Sequence, residues 1–352
     1  MVVPRPILFG GILVAAGIAA FVLFSGREVS VPSSALLETR APEDAKKELP
    51  APVMNRLTGL PCDSGEPIRP IGVMLAADPV ARPLSGIDKA DMVVEMPVIT
   101  YGINRFMALF GCSGSEFDIG SVRSARDDFI PLAASFDAIY GHWGGSHFAL
   151  DELRGGVIDN VDALKNPYGA YFRKKGIGAP HNGFTTLSRM SSSAEKLGYR
   201  LTSQESGPFF KRSTDALPET LPKALTVAIG YPGQHRVGWT YDDAEKAYLR
   251  TRGGAAEKDK TTNTQVVTKN IIIIRTSIRQ IEGQYNDVKL TGEGKGMLFR
   301  NGTQQNIAWE RAGKPFHAPL RLLSENGEEI ALVPGSVWLE VLQKDTAVTV
   351  AP

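Results

Sequence analysis

The densest polar stretch of the chain is GSVRSARDDF at 120–129, in which Arg123 and Arg126 stand three residues apart. A guanidinium carries five donors in a planar fork and grips a carboxylate or phosphate through two parallel bonds. On one helical turn, a spacing of three would put both forks on the same side. Two histidines follow. His142, in GHWGGSH (141–147), comes after the apolar AIY and before a glycine pair, the pattern of a strand end opening into a tight turn. Such ends are where α/β proteins build their sites, and glycine lets a ligand or a second backbone come close. His181 lies in the proline-bounded loop APHN (179–182) beside Asn182. A histidine near arginines suits general acid or base work, with the arginines neutralising a developing oxyanion. Glu95, Asp127, Asp128, Asp151 and Glu152 are the carboxylates available to pair with these groups. The plainer alternative pairs Arg123 and Arg126 with Asp127, Asp128 or Asp151 and leaves each histidine a hydrogen-bonded structural residue.

Established site signatures are missing. No HExxH, CxxC or GxSxG occurs, and His142 and His147 are not four residues apart. Neither a zinc helix nor a nucleophile elbow is read, and GGVIDNVD is no dinucleotide or phosphate-loop fingerprint. We therefore expect no metal and no cofactor. With 39 basic against 38 acidic residues the formal net charge is +1, so the chain lacks the concentrated basic face that nucleic acid requires.

These side chains need elements to hold them. Residues 71–77 (IGVMLAA), 91–98 (DMVVEMPV) and 105–110 read as buried strands, short apolar runs bounded by Pro and Gly. DDFIPLAASFDAIYG (127–141) has helical spacing that runs into a strand at 138–140. Residues 146–156 read as a helix capped by Ser146 and stopped at Gly155, and 185–199 as another capped by Thr185 or Thr186. Together these predict an α/β N-terminal domain over 55–205, a mixed sheet with flanking helices. A proline-bearing connection at 206–224 leads to a smaller β-rich C-terminal domain over 225–352, where strands alternate with the turn signals RNGT and ENGEE. Ahead of both, Pro6–Gly26 is an uncharged run of about twenty residues, the length a helix needs to cross a hydrocarbon core of roughly 30 Å. It is read as one transmembrane signal anchor within 1–27, with a cleaved signal peptide as the alternative, and 28–54 as a flexible spacer. The globular part is thereby placed outside the cytoplasm, on a single-pass anchor in the cell membrane. In that compartment the only two cysteines, Cys62 and Cys112, are a disulfide candidate; the alternative is two unpaired small hydrophobes.

Six stretches in order, LTGLP (57–61), ARPLSGIDKADMVVE (81–95), GINRFMALF (102–110), GSVRSARDDFIPLA (120–133), YGHWGGS (140–146) and APHN (179–182), together with YDDAEKAYLRT and VPGSVWLEV near the end, resemble the YerB-type family of bacterial envelope proteins. The resemblance covers about 55–345. It implies an envelope protein with N- and C-terminal domains of unknown function, and no established reaction. Many members carry a lipobox cysteine where this chain has a bare apolar segment, and a polar Asp-Asn-His run where it has MLAADP. Two functional readings follow. In the first, Arg105, Arg123 and Arg126 grip an anionic cell-wall fragment or polymer, with Asn182, Asp151 and Glu95 completing the pocket beside His142 and His181. In the second, a hydrolase or transferase acts on the same material with His142 or His181 as acid or base. A third makes the β-rich part a protein-docking module and the Arg/His cluster purely structural.

Overall fold

β-branched and apolar runs decide most of this chain. A computed structural model describes residues 53–352 apart from Tyr101, Ser115 and Ser206. The apolar segment 6–26 and all but the last two residues of the expected spacer lie outside the described residues. Among the described residues no helix is long and apolar enough to cross a membrane.

The N-terminal strands that matter here are β1 (Pro67–Ala76), β2 (Met92–Pro97), β3 (Asn104–Cys112), β4 (Ile139–His142) and β5 (Asn160–Asp162). Three helices, α1 (Ile130–Ser135), α2 (His147–Arg154) and α3 (Leu187–Lys196), accompany them. The Ser146 hydroxyl accepts from Ala149 N–H and the Thr186 hydroxyl from Arg189 N–H, so α2 and α3 start where their capping residues dictate. The C-terminal segment supplies β6 (Thr226–Ile229), β7 (Val237–Asp242), β8 (Ala247–Arg252), β9 (Asn270–Thr276), β10 (Ile278–Gln280), β11 (Asn286–Val288), β12 (Gly292–Arg300), β13 (Thr303–Arg311), β14 (Arg321–Leu323), β15 (Val337–Gln343) and β16 (Val348–Ala351). The described residues are therefore β-rich, and the helices among them are short.

Ten strands form one mixed sheet in the order β14-β13-β12-β9-β15-β2-β3-β1-β4-β5. At its seam β2 runs parallel to β15, with Met92 opposite Val337 and Glu95 opposite Glu340. The two segments thus share a sheet, and residues 51–352 form one compact unit. On one face Met74, Val94, Met107 and Leu109 pack against α1 and α2 through Leu132, Ala133, Ala149 and Leu153. On the other, Val73, Phe106, Ile271 and Trp338 meet a second sheet built on β8-β7-β6-β16 through Val227, Val237 and Trp239. Coverage on both faces is why these strands read as nearly unbroken apolar runs.

Charge is also buried between the two sheets. The Arg250 guanidinium donates to Glu95, to Glu257 at 2.6 Å and to Glu340 at 3.0 Å, while Arg252 donates to Glu95 at 2.5 Å and to Glu257 at 3.2 Å. Trp338 and Trp239 flank Arg250, with its guanidinium carbon 3.9 Å and 4.6 Å from their rings. Burial opposes ionisation of Glu95, but Arg252 and Arg250 outweigh it and hold the carboxyl below its usual range. Glu340 goes the other way, pushed up to about 8 by burial and by the charge of Glu95. Two cations then face two carboxylates and one neutral acid, and the cluster closes without net charge.

Cys62 and Cys112 form a disulfide that ties the residues before β1 to the end of β3, with Cα atoms 5.8 Å apart.

Candidate functional site

The site grows from two parallel strand ends. β1 and β4 run side by side, from Ile71 opposite Ile139 to Val73 opposite Gly141, and β1 continues to Ala76. β3 starts at the same edge, with Arg105 opposite Ala76. Residues 121–125 lie across these ends. The Arg123 amide donates to Met74 O at 2.8 Å, Trp143 N–H to Arg123 O at 3.0 Å, and the Ala125 amide to Gly144 O at 2.8 Å. Gly144 makes that turn at φ +60°, a conformation that suits glycine. Arg123 and Arg126 are therefore not on a helical turn, as their spacing suggests. Their segment is extended, with Arg126 at φ −129° and ψ 139°, because its hydrogen bonds go to strand ends instead of to its own chain four residues back.

The result is a convergence of cations. Arg105 projects from the helix-covered face of the sheet, where it is 4% exposed, and donates to Ser124 O at 3.0 Å. Burial, then the charges of Arg126 and Arg123, push its pKa down to about 9. Burial also lowers that of Arg126. The carboxylate beside Arg123 is Asp78, two residues beyond the end of β1, and the two are 4.0 Å apart, beyond hydrogen-bond reach. Among the described residues the Nε atoms of Arg105, Arg123 and Arg126 are all buried without a hydrogen-bond partner, as are Asp78 Oδ2 and the Tyr140 hydroxyl. His181 belongs to the same group. Its Nδ1 is buried and unpartnered, and burial, then Arg123, hold its pKa below the usual histidine value against the pull of Asp78. At the far side the Arg126 guanidinium carbon lies 5.2 Å from the Tyr285 ring, and Asp127 accepts from the Ser146 hydroxyl.

Such an arrangement leaves donors without acceptors. A buried charge needs a partner or shifts its pKa, and here Arg105 and Arg126 each donate to a backbone carbonyl, of Ser124 and Ala125, while Asp78 stands 4.0 Å from Arg123 and Asp127 acts on Arg126. Three Nε–H groups, on Arg105, Arg123 and Arg126, are left without an acceptor.

The other residues singled out from the sequence stand elsewhere. His142 is fully buried, with Nδ1 2.8 Å from Gly144 O and Nε2 3.2 Å from Asn160 Oδ1, so both ring nitrogens are occupied. Glu95 lies on the opposite face of the sheet from Arg105, inside the inter-sheet ion cluster. Asp151 is on the exposed surface of α2, paired with Arg154. Asn182 Oδ1 accepts from Arg173 at 2.6 Å. Asp128 accepts from Val288 N–H at 2.8 Å, joining α1's approach to β11. Asp78, Tyr140 and Tyr285 went unread. Asp78 had a signal, since it is the first charge after an apolar strand; Tyr285 had none, because it arrives from the C-terminal segment.

Comparisons with known proteins agree on one relationship. The family model described as the protein of unknown function (DUF3048) N-terminal domain matches residues 57–200, and its C-terminal counterpart matches residues 227–339. The chain is 32% identical, over 305 residues, to a Bacillus subtilis (strain 168) protein named "Putative lipoprotein YerB", covering 85% of this chain and 88% of that one. A crystal structure of YerB protein from Bacillus subtilis superposes with a TM-score of 0.73 at 29% sequence identity, covering 84% of this chain and 99% of that chain.

Proposed function

We propose a role from one premise: the chain belongs to the DUF3048 family, the family of YerB. The protein acts at the cell envelope, where its arginine cluster binds an anionic ligand of the wall or membrane surface. The observation that carries this reading is the set of three buried, unpartnered Nε atoms on Arg105, Arg123 and Arg126. Removing these N–H groups from water without acceptors opposes folding. An anion resolves that cost.

The envelope placement rests on the relative's name and on the apolar run at 6–26. Lipid attachment through a thioether has no residue to use in this sequence, because both cysteines are in the bridge. The tether is then the apolar run itself, and the disulfide fits an oxidising compartment.

A second reading, hydrolysis or group transfer on the same material, draws on His181, whose unpartnered Nδ1 and lowered pKa leave a neutral base beside Arg123 at pH 7. Incubating the purified chain with wall fragments separates the two. Retention without new reducing or amino ends means binding alone; turnover that His181→Ala abolishes while retention persists means catalysis. If neither retention nor turnover is seen, both readings fall.

A further inference from the structure

Beside the arginines stands an aromatic cluster that the anion reading does not use. His147 and Phe148 open α2 with ring centroids 4.0 Å apart, and Tyr285, from the turn between β10 and β11, meets them edge-on at 5.6 Å and 6.0 Å. His147 is half-exposed, its side chain 51% accessible and held by Glu282 at 3.4 Å. Arg126 links the two groups: its guanidinium lies near the Tyr285 ring at one end and belongs to the unpartnered trio at the other. An aromatic group thus adjoins the arginine cluster through the Arg126–Tyr285 contact.

Resting on the anion reading above, we infer that the ligand is a saccharide carrying an anionic group. The phosphate or carboxylate pairs with Arg105, Arg123 and Arg126. The pyranose ring lays its axial C–H face on the Tyr285, Phe148 and His147 cluster, and its hydroxyls remain in water or reach Glu282 and Asp127. Free inorganic anions leave that surface unused. A flat aromatic ring is a good partner for a sugar because both are rigid, so little conformational entropy is lost, and a polarised C–H edge meets the negative π face.

The test is calorimetric titration of the full chain with inorganic phosphate, glucose 6-phosphate, glucuronate and glucose. We expect glucose 6-phosphate to bind about tenfold tighter than inorganic phosphate, the factor that about 1.4 kcal/mol supplies. Glucuronate should likewise bind, and uncharged glucose should not. In His147→Ala and Tyr285→Leu the ratio of glucose 6-phosphate to phosphate affinity should fall toward one. His147 is a surface residue, so its variant keeps the test valid where Tyr285→Leu disturbs folding. If phosphate binds but the ratio is one in the unaltered chain, or is unchanged in both variants, the saccharide inference fails and the anion reading survives. If no anion binds at all, both fail together.

Discussion

Arg105 is a charge held where an apolar side chain would rest more easily. Replacing a buried, poorly compensated ion by a residue of similar volume is often neutral or stabilising. Arg105→Met is therefore expected to keep or raise the thermal midpoint while weakening anion binding; a clear fall in the midpoint would show that Arg105 serves packing instead. His181 gives the pH signature. Burial and Arg123 hold its pKa below the usual histidine value, and a bound anion favours the protonated ring. Binding then takes up a proton, and affinity for sulfate, which does not titrate here, should tighten as pH falls from 8 to 6. His181→Ala should lose that slope; an identical slope in the variant assigns the proton elsewhere. At this scale the sequence was partly legible. Residue type and proximity in sequence single out Arg123, Arg126 and His181, and strand-end geometry is what brings them near one another. His142 looked equally promising, and its ring is fully used by Gly144 and Asn160.

Elements were the easiest scale to read. β1, β2, β3 and the capped α2 and α3 fall where apolar runs and Ser146 and Thr186 put them. The parallel contact of residues 92–95 with 337–340 was not legible, because no local pattern encodes a pairing so distant in sequence. Nor was the ion cluster behind it: Arg250 and Arg252 alternate with Leu249 and Thr251, a pattern that reads as a charged face toward water, yet both arginines are buried. Glu340 predicts its pH behaviour. Its pKa is raised to about 8 by burial and Glu95, so its contribution to stability is full below the ordinary carboxyl range and is lost as pH rises through about 8. Asp128, raised to about 8 by burial and then by the charges of Asp127 and Asp287 against its bond from Val288, has the same sign. Denaturant midpoints should decline from pH 5 to 9, and Glu340→Gln, which mimics the neutral acid, should flatten that decline. Glu95→Gln should instead cost about 3–5 kcal/mol at pH 7, since it leaves Arg250 and Arg252 short of a counter-charge. A loss of similar size in both variants contradicts the assignment of Glu340 as the neutral member.

The molecule as a whole is joined by its ten-stranded sheet and pinned at one side by the disulfide. Reducing the Cys62–Cys112 bridge, which spans a separation of 50 residues, should destabilise the fold by about 4 kcal/mol in the chain-entropy account, read as a lower thermal midpoint; an unchanged midpoint would mean that the unfolded chain gains nothing from release. Because β2 and β15 belong to opposite ends of the chain, unfolding should follow one calorimetric transition, and two resolved transitions would deny that the segments are coupled. The function proposed for this molecule depends on its arginine cluster accepting an anion. The most direct test is calorimetric titration of inorganic phosphate into the full chain and into Arg105→Met at pH 7. Saturable binding that weakens by about tenfold or more in the variant, the scale of a lost charged hydrogen bond, is the predicted result. Equal affinity in the two proteins, or no binding to either, would contradict it.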